Sequence, residues 1–558
     1  MSDTKREFDY VVVGGGSAGC VLAARLTEDP TVTVCLLEAG PADKSVLIHC
    51  PAGFALQARL GGLNWGLESV PQTGLGGRRS YQPRGKVLGG SSSVNAMIYL
   101  RGQPQDYDAW AAEGNSGWSF QDVLPYFKRA EHNERGADAW HGVGGPLNVM
   151  DMSSPNPFSH LFVRAAEQAG FDANPDFNGA SQEGAGLFQV TQKAGERCSA
   201  AKAYVTPNLA RPNLVVRTDA RTLRIVFEGR RAIGVEVEIG GVRSIVRARR
   251  EVLLSAGAIH SPQLLMLSGV GDEAVLRASG IPLLHALPGV GRNLQDHLDV
   301  TLVMDGPKLR DLLGVSLAGA LAILRGVFEW RRYRRGLLTT IIGEGGAFLK
   351  SSPSEERPDL QLHFVIGKLV DHGRQILFGH GFSCHVCLLR PKSRGTVTLD
   401  KADPGGAPLI DPQFLAERDD LERLVRGVRI VRHILEQPAL AAHGARELQA
   451  SAKARSDGEI EAFIRGHADT IYHPVGTCRM GGGPMDVVDA ELRVHGVQGL
   501  RVVDASIMPS IVSGNTNAPT VMIAEKAADM IKAAAAQAGA ESLTPALSRE
   551  REREKAPT

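Results

Sequence analysis

Three glycines near the amino terminus are the first residues whose types and spacing carry chemistry. Gly14, Gly16 and Gly19 stand in GxGxxG register directly after the apolar run of residues 10–13. In that register the first glycine allows a tight turn, the second lets backbone approach a pyrophosphate, and the third lets a helix pack close on a strand. The helix opening near Ser17 and Ala18 would aim its free N–H groups and positive dipole end at that phosphate. A second buried run, residues 32–37, stops at Glu38-Ala39, where an acidic side chain about 20 residues on suits a ribose hydroxyl. The chemistry is dinucleotide binding, with NAD and FAD both open at this point.

Two later stretches narrow that choice. Arg84-Gly85-Lys86-Val87-Leu88-Gly89-Gly90-Ser91-Ser92-Ser93-Val94-Asn95-Ala96-Met97 joins a double glycine to serine and asparagine donors and to a basic pair suited to phosphate. The double glycine lets backbone approach a flat ligand, and a plain NAD dehydrogenase has no evident use for this second, remote loop. The carboxy-terminal part carries Ile471-Tyr472-His473-Pro474-Val475-Gly476-Thr477-Cys478-Arg479-Met480. A strand-like run, residues 500–503, then ends in Asp504-Ala505-Ser506, ahead of Ser513-Gly514-Asn515-Thr516-Asn517-Ala518-Pro519-Thr520. An aspartate at a strand end and a loop of small polar residues suit the ribityl and pyrimidine portions of a flavin. The dinucleotide is read as FAD.

These stretches also have the form of family signatures. Residues 85–102 resemble the first signature of the glucose–methanol–choline (GMC) oxidoreductase family of flavoproteins, and residues 257–271, GAIHSPQLLMLSGVG, resemble its second. The resemblance runs from residue 8 to about residue 535. It implies FAD held by Gly14, Gly16, Ser17, Ala18, Gly19, Glu38, Ala39, Trp65, Arg84, Val87, Gly89, Gly90, Ser91, Asn95, Ala96, Met97, Ala220, Asp504, Ala505, Asn517 and Thr520. Some members attach FAD through a histidine just before the motif asparagine; Val94 stands there, so a non-covalent cofactor is expected. The resemblance makes His473 the base and Asn515 its partner beside the flavin. An alcohol hydroxyl does not ionise near neutral pH, so a neutral imidazole that takes its proton as hydride leaves carbon is worth about 10² to 10⁴ in rate. An amide can donate a hydrogen bond to the developing alkoxide without competing as a base.

Within the family, residues 380–397, 471–480 and 502–509 resemble the branch of bacterial aliphatic alcohol dehydrogenases and choline dehydrogenases. That implies oxidation of a small-molecule primary alcohol, aliphatic and of medium chain length, to its aldehyde, with electrons passed to a quinone or similar acceptor; a soluble carrier and oxygen stay open. Choline is the alternative substrate, with Glu344 in Gly343-Glu344-Gly345-Gly346 facing its quaternary ammonium. The scaffold also hosts lyases and a light-driven decarboxylase, so fold does not settle function.

Such chemistry needs elements to place it. The expected fold is α/β: a Rossmann-like FAD-binding domain from residues 1–150, 195–305 and 470–535, and a substrate-binding domain from 151–194 and 306–469. The second domain is expected as an antiparallel sheet covered by helices, and residues 536–558 as a tail without structure. Residues 213–256 alternate as strands, and residues 252–255 return to the dinucleotide sheet. Residues 313–335 carry Leu313, Leu317, Leu321, Leu324 and Phe328 at helical spacing, followed by Trp330 and Arg331, Arg332, Arg334 and Arg335. The stripe is read first as core-facing, with rest on an anionic membrane surface as the alternative.

Bulk properties agree. A chain of 558 residues exceeds one ordinary core, and 62 basic against 61 acidic residues give no field that would draw nucleic acid. Seven scattered cysteines suit a reducing compartment without a disulfide framework. Cys384-His385-Val386-Cys387 has redox or metal spacing, but positions i and i+3 of a strand face opposite sides, so it is read as structural and no metal is expected. The amino terminus shows no signal sequence, and no run reaches the roughly 18 apolar residues of a spanning helix. The expected location is cytoplasmic, with a peripheral seat on the inner face of the cytoplasmic membrane as the alternative.

Overall fold

The computed structural model describes residues 6–553, without the side chains of 58–60, 449 and 538–553. The first apolar run becomes β1 (Glu7–Val13), which passes through the glycines into α1 (Ser17–Leu26) and returns as β2 (Val34–Leu37). These strands are apolar almost throughout rather than alternating, because helices and loops cover both faces of a parallel sheet. After α2 (Pro157–Gln168) and β3 (Gly184–Leu187), the alternating region forms β4 (Leu214–Arg217), β5 (Ala220–Glu228), β6 (Arg231–Ile239) and β7 (Val242–Leu254), and α3 (Gly257–Leu267) follows. The rest of the chain supplies β8 (Leu298–Asp305), α4 (Leu317–Tyr333), β9 (Gly343–Leu349), β10 (Leu360–Val365), β11 (Gly379–Leu388), α5 (Arg418–Leu435), α6 (Asp457–His467), β12 (Leu500–Val502) and α7 (Asn517–Arg553).

The first sheet has the order β4-β2-β1-β7-β6-β5, with β12 beside β7. Strands β4, β2, β1, the carboxy-terminal half of β7, and β12 run parallel; β5 and β6 add an antiparallel meander. The second sheet is antiparallel, β8-β11-β10-β9-β3. Its core packs Phe162 of α2, Leu424 and Val428 of α5 and Ile464 of α6 against Leu362, Phe364 and Val386 of the strands. A Rossmann-like sheet joined to a helix-covered antiparallel one is the expected architecture.

Three details differ from expectation. Strand β8, placed with the dinucleotide part by the boundary at 305, pairs with β11 in the second sheet, so the crossover falls before residue 298. The stripe on α4 does not face a core: Leu317, Leu321, Leu324 and Phe328 are exposed, and only Gly319, Gly326 and Trp330 are buried. The helix instead lies on its glycine side, with Gly326 against Leu337 and Leu338 and the Trp330 indole donating to the Gly195 carbonyl (2.8 Å). Finally, α7 continues to Arg553, into the segment expected as a tail; residues 554–558 of that segment lie outside the described residues. All seven cysteines are free and buried, Cys384 and Cys387 within β11 among them. Among the described residues no helix is long and apolar enough to cross a membrane, and no cluster could hold a metal ion.

Candidate active site

The two glycine loops meet backbone to backbone. Gly89 donates its N–H to the Gly15 carbonyl (2.7 Å), and a Cβ on Gly90 would stand 2.7 Å from the Gly16 Cα. Gly14, at φ +100°, lies so close to strand β7 that a Cβ would meet the Ser255 carbonyl at 2.5 Å. By contrast a Cβ on Gly16 has no neighbour nearer than 4.0 Å, and one on Gly257 has none within 4 Å. The tight contacts hold the loops together and leave space on their open side. Helix α1 begins at that space with neither a side-chain cap nor an acidic residue in its first turn, so its positive end is uncompensated and suits an anion. The far end of the chain closes the same region, where the Ser17 hydroxyl donates to the Asn517 side-chain oxygen (2.7 Å).

Glu38 lies beneath these loops, accepting from Gly15 N–H (2.9 Å) and Gly40 N–H (2.8 Å). Burial is the larger influence and pushes its carboxyl up to about 7. Asp504 accepts from the Gly257 N–H (2.9 Å) and the Ser261 hydroxyl (2.5 Å) and so caps α3, and it also accepts from the Ser506 N–H (2.8 Å). Val87, Met97, Ala18, Ala220 and Thr520 are buried. Trp65, Ser91, Asn95, Ala96, Ala39 and Ala505 are half-buried. Arg84 is placed differently from the phosphate role its charge suggested. Its guanidinium donates to the Tyr472 carbonyl (2.7 Å), beside His473, while the Lys86 ammonium lies 4.7 Å from the Trp65 ring centroid.

His473 and Asn515, 42 residues apart, are brought within hydrogen-bond distance: Asn515 Nδ2 lies 3.1 Å from His473 Nε2. The segment before His473 pairs with β8 through Asp469–Thr470. Asp296 then fixes its backbone, accepting from the His473 N–H (2.8 Å) and from the Thr470 hydroxyl (2.5 Å). The Asn515 loop is held by Asp106, which accepts from the Ser513 N–H (2.6 Å) and hydroxyl (2.9 Å), and by Gln295, which accepts from the Ile511 N–H (3.1 Å).

Three residues not anticipated from the sequence complete the arrangement. His297, at the start of β8, puts its Nε2 2.9 Å from the Leu389 carbonyl and its Nδ1 3.0 Å from His473 Nδ1. A carbonyl only accepts, so His297 carries its proton on Nε2 and its Nδ1 is an acceptor. His473 must then carry its proton on Nδ1, leaving the Nε2 lone pair towards Asn515. Gln361 of β10 donates to the Asn515 oxygen (3.1 Å), which turns the amide N–H groups to the histidine. His363 lies on the same strand, and burial, then His385 and His297, lower it to about 3. Burial lowers His297 to about 4. For His473 burial, reinforced by His297, His363 and Arg84, holds the imidazole well below its ordinary 6.5. The assembly is a neutral base of fixed tautomer with an amide donor beside it, able to take a proton from a hydroxyl and steady the oxygen left behind. The only signal for His297 in the sequence is a polar run, NLQDH, at the entrance to an apolar strand.

Glu344 does not stand free. Its carboxylate accepts from the Asn156 N–H (2.6 Å), the Ser159 hydroxyl (2.8 Å) and the Thr340 hydroxyl (2.6 Å), tying β9 to the start of α2.

Residues 8–299 and 391–524 match the two GMC oxidoreductase family models, amino- and carboxy-terminal. The chain is 49% identical over 527 residues to an alcohol dehydrogenase [acceptor] of Pseudomonas putida, covering 94% of this chain and 95% of that one. It is 46% identical over 540 residues to a mitochondrial choline dehydrogenase of Mus musculus, covering 95% and 90%. Among solved structures, an FAD-dependent oxidoreductase from Chaetomium thermophilum superposes with a TM-score of 0.86 at 29% identity, covering 94% of this chain and 99% of that one.

Proposed function

The chain belongs to the GMC oxidoreductase family, and from that premise we propose that it oxidises a primary, apolar alcohol to the aldehyde, with His473 as base and a quinone as the final electron acceptor. The family's cofactor is FAD, and the residues present fit it: an open, uncapped helix start, glycines crowded on one side only, and half-buried donors at Ser91 and Asn95. In that place the flavin supplies the acceptor for a hydride. Val94 offers no nucleophile, so it is bound without a covalent bond.

This chain's own residues handle the proton and the oxygen. His473 Nε2 receives the hydroxyl proton as the alcohol carbon is oxidised, an effect of about 10² to 10⁴. Asn515 donates to the oxygen while charge develops there. His297 and the Leu389 carbonyl keep the receiving lone pair on Nε2 until the proton arrives. The chain of contacts from the Leu389 carbonyl through His297 and His473 to the Asn515 amide is the observation that carries the reading.

For the substrate, the likeness to the alcohol dehydrogenase [acceptor] supports an alcohol, and the state of Glu344 favours an apolar one. A quaternary ammonium is held by open aromatic faces or by a carboxylate it can approach, and Glu344 is buried. Glu344 is committed to three donors, and the rings of Trp65 and Tyr81 already carry Lys86 and Arg374 at 4.7 and 4.4 Å. Choline remains the second reading, favoured by the likeness to the choline dehydrogenase. Anaerobic reduction of the flavin in the dark by octanol, butanol, benzyl alcohol and choline decides. Reduction by octanol ahead of choline is expected; bleaching by choline alone reverses the assignment, and no bleaching by any of them removes alcohol oxidation. Reoxidation by a quinone analogue compared with oxygen then tests the acceptor.

A further inference from the structure

Helix α4 turns a continuous apolar stripe to solvent. Leu317, Leu321, Leu324 and Phe328, at steps of four, three and four residues, are 81%, 59%, 66% and 65% exposed. The stripe does not end with the helix. Val315, just before it, bridges to Phe378, itself 79% exposed, and Ile376 is exposed in the same loop. Exposed apolar surface this continuous marks an interaction site rather than ordinary scatter.

Charge identifies what covers it. Residues 306–338 hold seven cations (Lys308 and six arginines) against Asp311 and Glu329, whereas the whole chain is only +1. Glu329 is paired with Arg325 (2.8 Å), and Arg334 reaches Glu196 at 3.3 Å. Arg331, Arg332 and Arg335 stand exposed at the carboxy-terminal end of the stripe. An apolar face bordered by arginines complements lipid acyl chains below anionic headgroups.

We propose that this face docks on an anionic lipid bilayer. α4 lies in the plane of the interface with its leucines and Phe328 inserted, Phe378 beside them, and the arginines among the phosphates. The seat adjoins the reaction site through one short loop. His372, six residues before Phe378, has its Nδ1 2.6 Å from the Tyr472 hydroxyl, and Tyr472 precedes His473. The docked face and the segment that carries His473 are thus linked by one loop, through Phe378 and His372. The proposal does not depend on which alcohol is oxidised.

The test is flotation of the holoenzyme with vesicles of phosphatidylcholine, with or without phosphatidylglycerol. Binding is expected with phosphatidylglycerol, weakening at high salt. Arg331→Ser with Arg332→Ser should lower it by roughly tenfold or more, and Leu321→Glu with Phe328→Glu should abolish it. Both double variants should keep the wild-type flavin spectrum and turnover of butanol, since they touch no residue of the reaction site. No flotation of the wild type, or flotation that either pair leaves unchanged, overturns the proposal. So does a light-scattering mass of two chains that falls to one in the Leu321→Glu/Phe328→Glu variant without any vesicle binding, which would assign the face to a second copy.

Discussion

At the scale of single residues, the usefulness of His473 depends on groups that never touch substrate. Its neutral state comes first from burial, with the Arg84 guanidinium nearby, and its tautomer from His297, whose own proton is committed to the Leu389 carbonyl. His473→Ala should bind FAD yet reduce it with alcohol about 10² to 10⁴ times more slowly; near-normal single-turnover reduction would remove the assignment. His297→Ala should cost at least about tenfold while His297→Asn, which can still accept from His473 Nδ1, recovers most of it; equal loss in both would make His297 merely structural. Because the folded-state pKa of His473 is depressed, the base stays unprotonated as pH falls through 6.5, and the acid limb of the reduction rate should lie below that value. A limb at or above 6.5 would contradict the burial argument. His473 and Asn515 were legible because they sit inside long, ordered motifs. His297 was not, because its role arises from a contact across 176 residues that leaves no local pattern.

Elements show a similar division. Strands β1 and β2 and the loop between them were readable from apolar runs and glycine spacing, because Gly14 and Gly19 each answer to a close backbone contact while Gly16 keeps one side of the loop open. Gly19→Ala would set a Cβ 1.9 Å from the Gly14 carbonyl and should destabilise the protein by about 3 kcal/mol. Gly16→Ala has room, at φ −80° and with nothing nearer than 4.0 Å, so it should leave apoprotein stability within about 0.5 kcal/mol and weaken FAD binding. Thermal melts of the apoproteins and flavin titration separate the two; a Gly16→Ala protein with full FAD affinity would mean the open side of the loop is not the cofactor's. Helix α4 was read with its face reversed, since periodicity locates a stripe without saying whether protein or another phase covers it. Strand β8 was put in the wrong sheet because an apolar strand beside a crossover carries no mark of its partner.

For the whole molecule, the decisive contacts join the two ends of the sequence. Glu525 of α7, fully buried, accepts from Arg25 of α1 (2.9 Å), Arg129 (2.8 Å) and the Tyr204 hydroxyl (2.7 Å). Glu525→Leu would leave those cations without their anion and should lower stability by about 3 kcal/mol, measured by denaturant unfolding; a loss under about 1 kcal/mol would show the cluster to be dispensable. The same joining is seen where Ser17 meets Asn517 and where β12 completes the first sheet beside β7. It also sets an order of events in biosynthesis. A ribosome that has released the first 450 residues has made both glycine loops but neither His473, nor Asn515, nor the strand and helix that close the cradle. Flavin capture therefore belongs to the last moments of translation or after it, and chains cut short near the carboxy terminus should accumulate as colourless protein.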